Sequence, residues 1–122
     1  MTKLFDDPEI IPARALWQPY AGLVALGLKA IETCKTETNL RGDLVVCAGW
    51  TLDLSALVRV RSLLVPHVVP LDVFEAATSV HGVAMAVVNV TGCRRLVESD
   101  RRRSFWWNPR EKRRSSTISS AL

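Results

Sequence analysis

The sequence predicts a small α+β domain, on three observations. Apolar residues recur at helical spacing from Leu16 to Leu26, two short apolar runs at 43–48 and 83–90 are bounded by glycines, and Asp53 opens an apolar stripe that ends before Pro66. A few strands mixed with helices of this length suit one α+β layer arrangement, a partly closed barrel among them.

Each element has a local reason. Leu16, Tyr20, Leu23, Val24 and Leu26 lie three or four residues apart, and Pro19 suits a first helical turn because its missing N–H would have no partner there. A first helix is therefore expected after Pro19, stopped by Gly27 in the left-handed conformation. Residues 29–34 then leave the helix as an extended segment. Gly42 makes the turn into a buried strand at 43–48. Asp53 caps a second helix whose core-facing stripe is Leu54, Leu57, Val58 and Leu64. Pro70 opens a short third helix over Leu71, Val73, Phe74 and Ala77. The nearly continuous run at 83–90 predicts a central strand buried on both faces. A last strand is expected at 104–107, stopped at Asn108-Pro109. Residues 110–122, polar and charged with four serines, predict disorder. The expected organisation is an N-terminal segment at 1–14, one domain at 15–109 whose C-terminal part is truncated or disordered, and a basic, serine-rich tail at 110–122. No internal repeat is found.

Composition sets bounds on function. A chain of 122 residues with 48% hydrophobic content can build one modest core. Its longest apolar runs, at 63–71 and 83–90, fall short of the ~20 residues that span a bilayer, so no membrane association is expected. Residues 1–11 carry Asp6, Asp7 and Glu9 and lack the basic start and apolar core of a signal peptide, which predicts a cytoplasmic location. Cys34, Cys47 and Cys93 show neither disulfide-framework nor zinc-site spacing, and His67 and His81 lie apart beside Pro or Gly. No metal and no cofactor is expected.

Charge is unevenly spread. Residues 1–93 hold seven Lys/Arg against nine Asp/Glu, whereas 94–122 hold nine against three. Arg101, Arg102 and Arg103 precede Phe105, Trp106 and Trp107 in that basic region. Cations neutralise phosphate and aromatic faces stack on unpaired bases, so the mixture suits single-stranded nucleic acid. The competing reading is a core strand flanked by solvated arginines.

Three ordered blocks resemble a known family. Leu16-Trp17-Gln18-Pro19-Tyr20-Ala21 followed by Leu26-Gly27-Leu28-Lys29-Ala30-Ile31-Glu32 is similar to the signature of the ASCH family (activating-signal-cointegrator homology), a Gln-Pro helix start preceding Gly-x-Lys-x-x-Glu-x-Arg. Thr38-Asn39-Leu40-Arg41-Gly42-Asp43-Leu44 is similar to the family's Thr-x-Tyr-Arg-Gly-x-Leu, and residues 82–93 to its later strand. The resemblance covers about residues 16–93. It implies a PUA-like fold, a small β-barrel with flanking helices, and RNA or a nucleotide as partner. Some small members hydrolyse acetylated cytidine nucleosides or cleave RNA. Residue by residue, it implies a cleft in which Lys29 and Glu32 carry the motif, Gln18, Pro19 and Gly27 give it shape, Arg41 and Gly42 border it, and Trp17 is an aromatic wall. The chain departs from the pattern at Cys34, where Arg is usual, at Thr36, where an aromatic is common, and at Leu40, where Tyr is usual. A lost guanidinium removes a bidentate contact and a lost ring removes stacking surface.

Three functional readings stay open. The first is an RNA-binding module whose cleft is formed by Trp17, Gln18, Gly27, Lys29, Glu32, Arg41 and Gly42, with Arg101, Arg102 and Arg103 on phosphates. The second is a small RNA-related hydrolase, an acetylcytidine amidohydrolase or a ribonuclease, with Lys29, Glu32 and Thr33 as candidate catalytic groups. The third is an interaction domain with a vestigial cleft and a protein partner; the oligomeric state is left open. One geometric condition applies to the first two. Three strand steps would send Lys29 and Glu32 to opposite faces, so they converge only if Lys29 lies in the turn.

Overall fold

The computed structural model describes residues 10–33, 38–94 and 115–119, with Thr33 and the last five described by their backbone. The element order is β1 (Ala13–Gln18), α1 (Tyr20–Ala25), β2 (Ile31–Thr33), β3 (Gly42–Leu52), α2 (Leu54–Leu64), α3 (Leu71–Thr78), β4 (Val83–Arg94) and β5 (Ser115–Ser119). The five strands form one sheet in the order β1-β3-β4-β5-β2. β1 runs parallel to β3, and the other neighbours are antiparallel.

The α+β class stands, and the expected barrel does not close. Among the described residues β1 pairs with β3 and β2 with β5, so the two edge strands share no ladder. β1 ends where the chain turns at Pro19 into α1, and β2 is three residues long.

Two core clusters sit on either side of α1. Ala21 and Val24 pack with Leu16, Leu44, Val46, Ala48, Val88 and Val90 on one face of the sheet. Leu23 packs instead with Val60, Leu64, Val69 and Phe74 of the two longer helices and their connection. A six-residue helix is too short to be stable by itself. Burial on two sides is what holds it, and it thereby fixes the residues at both of its ends.

The alternation in β3 places Leu44, Val46 and Ala48 inward, while Val45 and Cys47 are only half-buried. The same rule corrects the expectation for 83–90: in β4 only Val88 and Val90 are buried, and Val83 and Val87 are exposed. An antiparallel sheet with one covered face needs no two-sided burial, and a run of Val and Ala fits it equally. In α2 the inward residues are Ala56, Val60 and Leu64, so Leu54 and Val58 of the expected stripe face outward. Leu16 belongs to β1 rather than to the helical series.

The predicted disorder of 110–122 is overturned at Ser115–Ser119, which forms β5. Thr117 pairs with Ile31 on one side and Gly92 on the other. A strand between two partners satisfies its backbone on both sides, and this needs little from its side chains. The sheet thus includes residues beyond 15–109 at both ends. The expected strand at 104–107 lies outside the described residues, as do Cys34, Thr36 and Arg101 to Arg103.

Candidate functional site

Gly27 sets the geometry of the site. Its φ of +75° ends α1 in the left-handed region, Gly27 N–H donates to Val24 O at 3.0 Å and Leu28 N–H to Leu23 O at 2.9 Å. These two bonds make a Schellman turn. Lys29 N–H also donates to Leu23 O, at 3.2 Å. The turn therefore ends with Lys29 folded back toward the start of its own helix.

Lys29 lies outside β2, in the turn, so the condition for convergence is met. Its ammonium donates to Ile31 O and, at 2.9 Å, to Glu32 Oε2, and it stands 5.8 Å from the centre of the Tyr20 ring. The side chains are 3% and 15% exposed, so the cation is buried and the carboxylate reaches the surface. Tyr20, rather than Trp17, is the aromatic beside this pair. Trp17 points to the other face of β1 from Leu16 and Gln18 and is 56% exposed.

Gln18 is a buried bracket. Its Nε2 donates to Ala77 O at 3.0 Å and Val80 O at 2.9 Å, and its Oε1 accepts from Gly22 N–H at 3.0 Å. One amide thus ties β1, α1, α3 and the segment after α3 together. The peptide bond from Gln18 to Pro19 is cis. Tyr20 is fixed in turn by its hydroxyl, which donates to Asp53 Oδ2 at 2.9 Å.

Asp53 does two things at once. Oδ1 accepts from Ala56 N–H at 3.0 Å, capping α2 as the sequence predicts, and from Ser55 Oγ, while Oδ2 holds Tyr20. Burial pushes its carboxyl up, but the Ala56, Tyr20 and Ser55 hydrogen bonds and the Arg59 charge together hold it below its ordinary value of 3.8. A depressed carboxyl contributes stability above the unfolded value and loses it as the pH falls through the folded one. Replacing Asp53 by Ala is expected to cost about 0.5–2 kcal/mol at neutral pH. In urea titrations the gap from wild type should shrink below about the ordinary carboxylate pKa of 3.8.

Arg41 and Gly42 lie apart from this group. They stand at the start of β3 while Asp53 follows its end, and the Arg41 guanidinium donates to Thr38 O at 3.1 Å and Leu40 O at 2.7 Å in its own loop. Gly42 has a φ of +94° at the turn. Thr33 follows Glu32 on β2. The structure therefore brings together Gln18, Gly27, Lys29 and Glu32, and adds Tyr20 and Asp53, which sequence reasoning had placed as a stripe residue and a helix cap. The signal for Tyr20 was its position directly after Gln18-Pro19.

The site is thus a short α+β domain's Gln-Pro turn behind which a buried lysine clamps a carboxylate that is 15% exposed. The chain belongs to the ASCH domain family, whose model matches residues 15–112. No curated protein matches it. Among the described residues no helix is long and apolar enough to cross a membrane.

Proposed function

We propose that the chain is an RNA-binding module that holds an unpaired base or a nucleotide against the Lys29–Glu32 pair. Arg41 and the basic C-terminal region, Arg101, Arg102 and Arg103 included, contribute phosphate contacts. The observation that carries this reading is the pair itself, an ammonium 3% exposed joined at 2.9 Å to a carboxylate 15% exposed. Buried ion pairs are poor sources of stability, because desolvation offsets their attraction. A carboxylate fixed in direction by a buried cation is well suited to accept from the exocyclic amine of a base, and the Tyr20 ring beside it offers an apolar wall. Family membership supports the same partner.

The test is filter binding of single-stranded RNA across a salt series. Lys29→Met is expected to weaken binding about tenfold, as the loss of one charge-assisted contact of ~1.5 kcal/mol. Affinity should fall as salt rises, with a shallower slope when Arg101, Arg102 and Arg103 are replaced by Ala. Retention that is equal at low and high salt removes the arginines from the proposal; Lys29→Met binding like wild type, with its melting temperature unchanged, removes the cleft.

The 2.9 Å contact also favours a second reading, since partners so close can move a proton between them. In that case Lys29 and Glu32, with Thr33, would serve hydrolysis of an acylated nucleoside or of RNA. Turnover of acetylcytidine by the wild type, lost in Lys29→Ala, supports it. No turnover by the wild type ends it.

A further inference from the structure

Trp50 stands almost wholly in solvent, 82% exposed, yet its position is fixed. Its indole stacks on the His81 ring, with centroids 6.1 Å apart and planes 14° from parallel. His81 is held by its Nδ1, 2.7 Å from Gly49 O, and the adjoining Gly82 N–H donates to Ala48 O at 2.7 Å. Gly82 lets the ring lie against the backbone: a Cβ there would sit 2.6 Å from Trp50 Cζ2. Single exposed apolar residues are ordinary. A large ring that is oriented by two neighbours and still 82% exposed is less ordinary.

We propose that the Trp50–His81 pair is a stacking platform for an unpaired base of single-stranded RNA, a second contact that rests on the RNA-binding reading. Its position supports this. His81 follows Val80, whose carbonyl accepts from Gln18, and Leu52, two residues after Trp50, pairs with Gln18. The platform therefore lies at the same end of the sheet as the Gln18-Pro19-Tyr20 turn. Two parallel rings continue naturally into a third, planar one, and stacking tolerates any base because every base has a π-face. The excess positive charge of the chain, carried by residues 94–122, suits a polyanion as the strand whose base would reach the platform.

The experiment measures binding of a labelled oligoadenylate by the full chain and by Trp50→Ala, Trp50→Phe and Lys29→Met, with melting temperature and sedimentation recorded for each. Trp50→Ala is expected to weaken binding roughly 5- to 100-fold and Trp50→Phe much less, while duplex RNA binding is unmoved by either. If Lys29→Met weakens binding and Trp50→Ala does not, the platform is overturned and the cleft reading stands. If Trp50→Ala weakens it and Lys29→Met does not, the platform stands alone. Absence of RNA binding by the wild type overturns both. Trp50→Ala that leaves RNA affinity intact but dissociates a self-associated form assigns the surface to a second copy and rejects the platform.

Discussion

Replacing Gly22 by Ala is expected to destabilise the fold by about 3 kcal/mol or more, although the substitution is made inside a helix. Alanine at a helical position ordinarily gains ~0.5–1 kcal/mol over glycine. Here a Cβ would lie 2.5 Å from Ala77 O, 2.9 Å from Ala77 C and 2.9 Å from Thr78 Cγ2. Two of those atoms are backbone, so no rotamer change relieves the overlap and α3 must move away from α1. That movement stretches the Gln18 bond to Ala77 O and disturbs Phe74, which anchors the helical cluster. With total stability for a domain of this size on the order of 5–15 kcal/mol, the loss is a large fraction of the whole. Urea denaturation should show a much lower midpoint for Gly22→Ala than for the control Gly92→Ala, whose Cβ meets nothing within 4 Å. Equal midpoints would mean that α1 and α3 are not in contact as described.

What was legible in the sequence was local. Gly27 as a helix stop and Asp53 as a cap depend on bonds that span five residues or fewer, and both appear as expected. β1 was missed because Leu16 and Tyr20 keep a helical interval across a boundary between strand and helix. The alternation within β1 was concealed as well, since one of its buried residues is the polar Gln18. β5 was missed because its reason for existing is the free edges of β2 and β4, not its own composition. The motif pointed to Lys29 and Glu32, which the structure pairs. It did not give the aromatic partner, because Tyr20 reaches Lys29 only once the Gly27 turn has folded the chain back. Trp50 and His81, 31 positions apart, meet only through the pairing of β3 with β4.

Gln18 is where fold and site depend on one side chain, and two substitutions separate its contributions. Gln18→Leu keeps the volume roughly but leaves Ala77 O, Val80 O and Gly22 N–H without their partner. Orphaned buried groups cost about 1–3 kcal/mol each, and the two carbonyls can recover part of this from water, so a loss of roughly 2–5 kcal/mol is expected. Gln18→Glu keeps the acceptor for Gly22 but sets a carboxylate against two carbonyl oxygens. That carboxyl must be protonated to donate to either of them, so its folded pKa rises above the ordinary ~4.3 of glutamate. A raised acid is least harmful below its unfolded value and most harmful once the pH exceeds its folded one. The deficit of Gln18→Glu relative to wild type should therefore be largest at neutral pH and narrow as the pH approaches about 4, whereas that of Gln18→Leu should stay level. The Gln18→Glu deficit staying level as well would show that the amide nitrogen does not face Ala77 and Val80. Because the same bracket positions both the Tyr20 turn and the segment entering His81, RNA binding at the cleft and at the Trp50 platform should weaken together in Gln18→Leu. Substitution of Lys29 or Trp50 alone would affect only one of them.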